Sequence, residues 1–289
     1  MLWINGKIYL MKSTIKEYSK FLERLGHLVY IDGEYILYNP RKYFFQQVLN
    51  FLYEPPNIQK RKDIFSSIKA IGIRYFIIDK KNPKSRYGVY LAYPPYDISS
   101  ISKKARNQVR RGLERVNVIN EPISEELIDK VSPVYFENMN RLKIFKKKEM
   151  IDRRWGMWKK AILESKICEM WCAYNKDELV AFSLLVFTPS GPEIAMQRMN
   201  ISHSKLYPNN ALVYKLSKSV FQRGAKSLSF GLNKFGETNS SGLDHFKDNM
   251  NFKYVGVKEF YIWNPWINPF IKILNLDEEK IAFFHKYLK

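Results

Sequence analysis

Three strand-sized apolar runs stand almost end to end in this chain: KICEMWCAY (166–174), ELVAFSLLVF (178–187) and EIAMQRMNI (193–201). Only Asn175-Lys176-Asp177 and Pro189-Ser190-Gly191-Pro192 separate them. Both connectors are turn residues, and connectors this short can only return a strand antiparallel to its neighbour, because a parallel crossover needs a dozen residues or more. The sequence therefore demands an antiparallel meander. The stretch KLYPNNALVYKL (205–216) follows it. Pro208 lacks an N–H and fixes φ, Asn209 suits an N-cap, and Leu212, Leu216 and Val220 recur at helical spacing until Gly224. The strand KSLSFG, a Gly/Ser/Asn loop, a short helix around Leu243–Asn249 and the strand YVGVKEFYIW come next.

Two helices, at about 124–140 and 148–164, precede the meander. Nearer the N-terminus, TIKEYSKFLERLG reads as an amphipathic helix with a capping box of Thr14 and Glu17 and a stop at Gly26. HLVYIDGEYILY reads as a hairpin turning at Asp32-Gly33. A helix from about Gln59 to Ala70 then leads into the strands IRYFIID and YGVYLAY. Helix and strand are mixed throughout, which argues for an α/β or α+β class.

In SSISKKARNQVRRGLERVNV (99–118), Ile101, Ala105, Val109 and Leu113 form an apolar stripe. The rest of that helix carries Lys103, Lys104, Arg106, Arg110, Arg111 and Arg115 against Glu114 alone. Lys103, Arg106 and Arg110 are its candidate anion contacts, with a solvated charged face as the alternative. The whole chain carries +20, and residues 1–118 hold 22 Lys/Arg against 9 Asp/Glu. Such a balance favours anionic partners: a phosphorylated donor, a nucleic acid such as tRNA, or an anionic membrane surface.

No apolar run approaches the length that spans a bilayer, and the opening MLWINGKIYLMKS lacks signal-peptide features, so a cytoplasmic protein is expected. Cys168 and Cys172, on one strand, would sit about 13 Å apart, too far for a disulfide. Two cysteines and four scattered histidines make no metal-site spacing, so no metal is expected. The tail from Asn264 to Lys289 reads as amphipathic helix that docks on the body, with peripheral membrane contact as the alternative.

The helix after Pro208 has no carboxylate in its first turn and Lys205 just upstream, which suits an anion at its N-terminus. Taken alone, this is also what any Asn-capped helix looks like.

The order of elements resembles the GNAT acyltransferase fold, and more narrowly its Fem-like branch (peptidyltransferase or acetyltransferase), in which two such units stand in tandem and the second is better preserved. Three stretches between about Ser99 and Val255 carry the likeness: SSISKKARNQVRRGLERVNV, LYPNNALVYKLSKSVFQRGAKSLSFG and SSGLDHFKDNMNFKYV. The last is similar to a Gly-Leu-x-x-Phe-Lys signature and puts Lys247 in the lysine position. Ser229 stands where the branch often has an acid, Leu232-Asn233 where it often has Arg-Ser, and no Gly-x-Gly loop is present.

The resemblance implies a first, degenerate unit over 1–118, a second unit over 119–264 bearing the donor site, and a helical tail over 265–289. It implies an N-acyltransferase that uses acyl-coenzyme A and the amine of a sugar, amino acid or peptide. An aminoacyl-tRNA donor, or a basic binding protein that has lost the chemistry, are the alternatives. In such a unit, backbone N–H groups of Met199, Asn200 and Ile201 would meet the donor carbonyl, and Asn209, Asn210 and Ala211 its phosphates. Lys247 would stabilise developing negative charge, His245 would relay protons, and Glu237 or Glu193 would act as base. Tyr214 and Tyr254 are candidate acids for the leaving group.

Overall fold

The computed structural model describes residues 7–33, 35–41, 44–48, 62–79, 85, 87–142, 147–234 and 241–267. Helix α1 (Lys7–Arg24) precedes the hairpin β1 (Val29–Asp32) and β2 (Tyr35–Arg41), followed by β3 (Phe44–Gln47), α2 (Lys62–Ile68), β4 (Gly72–Ile78) and β5 (Tyr87–Ala92). The basic helix α3 (Lys103–Arg115) leads to β6 (Asn117–Glu121), α4 (Glu125–Leu142) and α5 (Lys148–Leu163). The meander β7 (Cys168–Asn175), β8 (Glu178–Thr188) and β9 (Gly191–Met199) comes next. A 3-10 turn (Ile201–Leu206), α6 (Pro208–Gln222), β10 (Leu228–Lys234), α7 (Ser241–Asn249) and β11 (Lys253–Trp263) complete the described chain. No helix among the described residues is long and apolar enough to cross a membrane.

Two expectations change at helix starts. The first helix begins at Lys7, which leaves Thr14 and Glu17 inside it rather than in a capping box. In α6 the cap is Tyr207, in the left-handed conformation at φ 57°, and Pro208 occupies the first helical position. Proline suits that position, since its N–H would go unbonded there anyway. Asn209 therefore sits inside the first turn. The tail from 268, Glu237, and the start of the helix expected at Gln59 lie outside the described residues.

All strands join one sheet in the order β1-β2-β3-β4-β11-β5-β10-β9-β8-β7-β6. The order contains a repeat. In one half β2 and β3 are antiparallel, and β3–α2–β4 is a parallel crossover. In the other half β8 and β9 are antiparallel, and β9–α6–β10 is a parallel crossover. The strand that follows each crossover strand is exchanged: β5 pairs with β10, and β11 pairs with β4. The halves meet where β5 and β11 pair with each other, so each half is completed by a strand of the other. The expected boundary between 118 and 119 falls inside β6.

The sheet must curl. Helix α1 touches β2 and also β8, the second and ninth strands of the order. In a flat sheet these would lie about 34 Å apart at ~4.8 Å per strand, whereas a helix is only ~10 Å wide. One core, containing Val109, Val180, Leu212 and Phe252, packs under α3 and α6 on one face. Another, with Phe21, Ile128, Trp155 and Phe182, packs under α1, α4 and α5 on the other.

The basic helix is pinned at both ends. The Ser102 hydroxyl accepts from the N–H of Ala105 at 3.1 Å and donates to Asn249 Oδ1 at 2.8 Å. Ala105, Val109 and Gly112 are buried against α6. A Cβ on Gly112 would stand 2.8 Å from the carbonyl oxygen of Tyr207, so glycine allows the two helices to touch there.

Candidate active site

The site begins with the pairing of β9 and β10. They share one rung, Glu193 opposite Ser229. Beyond it, residues 194–199 have no partner on β10 among the described residues, so a cleft opens toward the C-terminal ends of both strands. On its other side β9 shifts register between Ile194↔Leu185 and Met196↔Leu184, leaving Ala195 as a bulge. β10 is also irregular between Ser229 and Leu232. The corresponding seam in the other half is closed: β3 and β4 pair at Phe44, Phe45 and Gln46, and Arg74 donates from Nε to Gln46 Oε1 at 3.1 Å across it.

The parting point lies nearer the start of β9 than the expected Met199–Ile201, and the N–H groups of Asn200 and Ile201 are engaged elsewhere. Met199 pairs with Ala181. Asn200 donates its N–H to Val180 at 2.8 Å, and Ile201 donates to Glu137 Oε1 at 3.2 Å. The Asn200 side chain caps the 3-10 turn. Pairing with β8 and packing against α4 thus occupy two of the three N–H groups that the resemblance reserved for a donor carbonyl, those of Asn200 and Ile201.

Glu193 stands at the floor of the cleft. Its Oε1 lies 3.1 Å from the place a Cβ would take on Gly231, whose φ of +74° already favours glycine. The carboxylate has neither a hydrogen bond nor an ion pair among the described residues. Burial raises its pKa to about 7. Tyr18 of α1 and Tyr38 of β2 feel its charge, and burial raises both phenols, Tyr38 to about 12. From Tyr38 a polar lattice continues along the same face. Gln46 Nε2 donates to the Tyr38 hydroxyl at 3.1 Å, and Arg74 Nη1 pairs with Glu259 at 3.0 Å. Tyr261 donates to the same Glu259 oxygen at 2.7 Å.

Lys247 approaches β10 from the other face. It is only 2 % exposed. Its Nζ lies 4.7 Å from the ring centre of Tyr90 and 5.2 Å from that of Phe230. Desolvation lowers its pKa to about 8, against the opposing pull of Asp244 and Asp248. His245, two residues earlier on α7, is turned to solvent. Positions two apart on a helix do not share a face, so the two side chains leave α7 in different directions. Tyr254 donates its hydroxyl to the carbonyl of Ser85 at 2.7 Å, and Tyr214 is buried in the α6 core.

At the start of α6, Asn210 is 7 % exposed and donates to Gln108 Oε1 at 3.3 Å, which places it under α3. Asn209 accepts from Gln197 Nε2 at its carbonyl at 3.4 Å, and its Oδ1 is buried without a partner among the described residues. Ala211 donates its N–H to Tyr207 at 3.2 Å. Lys103 and Arg110 are exposed on the outer face of α3, Arg106 is half-buried, and Lys205 is exposed on the 3-10 turn, where its carbonyl accepts from Arg115 at 2.9 Å. Arg115 thus reaches the segment just before α6, while Lys247 of α7 and Glu193 of β9 flank β10.

Two cavities adjoin these groups. One, of about 450 Å³, lies between α1, β2 and α5 and is lined by His27, Tyr38, Arg153, Arg154 and Trp158 among others. Burial lowers the His27 pKa there, with Asn39 opposing and Arg154 assisting. The other, of about 110 Å³, reaches Glu193 from the start of β10.

No protein-family model matches the sequence, and no curated protein matches it either. Solved structures do. FemX superposes with a TM-score of 0.65 at 14% identity, over 96% of this chain and 99% of that one. L-PGS from Bacillus licheniformis gives 0.58 at 14% identity, over 89% and 92%. The C-terminal domain of a putative lysylphosphatidylglycerol synthetase from Agrobacterium fabrum gives 0.57 at 11%, over 88% and 91%. With its repeated strand–helix–strand units in one curled mixed sheet, the chain shares the fold of FemX.

Proposed function

We propose that the protein is an N-acyltransferase that moves an acyl group from a phosphate-bearing thioester, an acyl-coenzyme A, to a primary amine. The observation that carries this reading is the β10 strand with a carboxylate on one side and a buried ammonium on the other, at the point where β9 parts from it. Glu193 takes one proton from the acceptor's ammonium group. The freed lone pair attacks the thioester carbonyl carbon. A C–N bond forms, the C–S bond breaks, and the sulfur leaves with a second proton from nitrogen. The products are an amide, a free thiol and the proton held by Glu193. Lys247, buried on the opposite face of β10, supplies a positive field toward the cleft that offsets the charge growing on oxygen and then on sulfur. The start of α6, free of carboxylates in its first turn and beside Lys205 and Arg115, suits the donor's phosphates.

A second reading keeps the chemistry and replaces the donor with an aminoacyl-tRNA. The cationic face of α3 favours it, because RNA binding draws on many phosphate contacts. One neighbour is described as the C-terminal domain of a putative lysylphosphatidylglycerol synthetase. Both readings place the reaction in the cytoplasm. Mixing the protein with acyl-coenzyme A and an amine panel and titrating released thiol tests the first reading. Release that needs both protein and amine supports it. Amine-dependent transfer from charged tRNA, with no thiol released, favours the second. Absence of both defeats the acyltransferase reading.

A further inference from the structure

The small cavity beside Glu193 has features of its own. Glu193, Ser227, Ser229, Ser190 and Tyr93 line it, together with the exposed Lys226. It opens at the start of β10, away from the end where β9 and β10 diverge. Its volume of about 110 Å³ is well below the ~300 Å³ at which pockets for drug-sized ligands begin. The Ser229 hydroxyl accepts from the N–H of Gly231 at 2.8 Å, which holds it beside the carboxylate. A half-buried carboxylate with no partner among the described residues requires an explanation, because such groups are nearly always satisfied. A cation entering this cavity would satisfy it.

We infer that this cavity is the acceptor pocket, and that the acceptor is a free amino acid or an amine of that size carrying a carboxylate. Its ammonium group meets Glu193, its carboxylate meets Lys226, and the serine hydroxyls line the space between. The donor enters from the opposite, diverging end of the cleft, so the two substrates meet at Glu193. This assignment rests on the acyl-transfer reading above and narrows its acceptor. The space encloses an acceptor of that size, whereas most of a peptide or sugar would lie outside it.

The test uses the full chain and calorimetric titration with free L-serine, L-alanine and L-glutamate, beside the corresponding amides, which lack the carboxylate. Two variants accompany the wild type: Ser227→Trp, which fills the cavity, and Lys226→Glu, an exposed charge reversal that leaves packing alone. Lys215→Glu, on the exposed side of α6, is the control. At least one free amino acid should bind, its amide should bind at least tenfold more weakly, and both cavity variants, but not the control, should lose at least tenfold. No binding by any of the amino acids, or binding indifferent to both variants, overturns the assignment. Thiol release with the same variants separates the two levels. Transfer to a larger amine that survives Ser227→Trp removes the small-acceptor assignment and leaves the acyltransferase. Amino acids that bind as described without any transfer remove the acyltransferase and leave the pocket.

Discussion

The carboxylate of Glu193 lies against Gly231 and the ammonium of Lys247 against Phe230, consecutive residues of one strand. Their pKa values are displaced toward each other, Glu193 up to about 7 and Lys247 down to about 8. Both shifts come chiefly from burial, which disfavours whichever form is charged.

The first prediction is a narrow, bell-shaped pH profile. A base at Glu193 works only ionised, above about 7, and a charge-bearing Lys247 works only protonated, below about 8. Accordingly kcat/KM should peak between those values and fall tenfold per pH unit on either side. Glu193→Gln should lower the rate by about 10²–10⁴ and remove the acid limb. An acid limb that persists in this variant assigns it to another group.

The second prediction sets stability against activity. Holding Lys247 charged inside α7 and β10 opposes folding, so Lys247→Met should stabilise the protein at pH 7 by roughly 1–3 kcal/mol while depressing turnover by about 10²–10³. The sign follows from linkage. The folded pKa lies below the unfolded one, so the penalty is full below about 8 and fades as pH rises from there toward 10.5. Denaturant melts of both proteins at pH 7 and pH 10 should therefore converge at the higher pH. A destabilised Lys247→Met at pH 7 would show the cation contributing to the fold through Tyr90 and Phe230 instead.

The third concerns Gly231. Alanine there meets a left-handed φ and a Cβ position 3.1 Å from Glu193 Oε1. Gly231→Ala should cost about 1–2 kcal/mol from the backbone alone and should also displace the carboxylate. Thermal unfolding measures the first effect and the acid-limb pKa the second. A rate profile identical to wild type separates Glu193 from the chemistry.

The fourth concerns the phosphate-bearing donor. Asn210→Asp places a negative charge at the α6 start, beneath α3, and should weaken donor binding by tenfold or more. Reversing Arg106 and Arg110 to Glu should weaken binding and flatten its dependence on salt. Equilibrium binding of acyl-coenzyme A and of tRNA at two ionic strengths reads both. Unchanged affinity for both ligands returns α3 to a solvated surface.

Much of the framework follows from local signals. The meander was legible because its turns are short and rich in Asn, Asp, Pro and Gly, and α6 and α3 because apolar residues recur at helical spacing. Lys247 was legible only through its likeness to a family signature; its burial was not. The exchange of β5 and β11, the curl around α1 and the seam closed by Gln46 and Arg74 were not written in any short stretch, because each depends on which distant strands pair. The same holds for the site. A bulge at Ala195 shifts the register of β9 against β8 just past Glu193, and pairing with β8 and α4 removes the N–H groups at Asn200 and Ile201 from use. Sequence periodicity sets which residues are apolar and where chain elements begin. The desolvation that brings Glu193 and Lys247 near neutrality arises only when both faces of β10 are covered, and tertiary packing alone decides that.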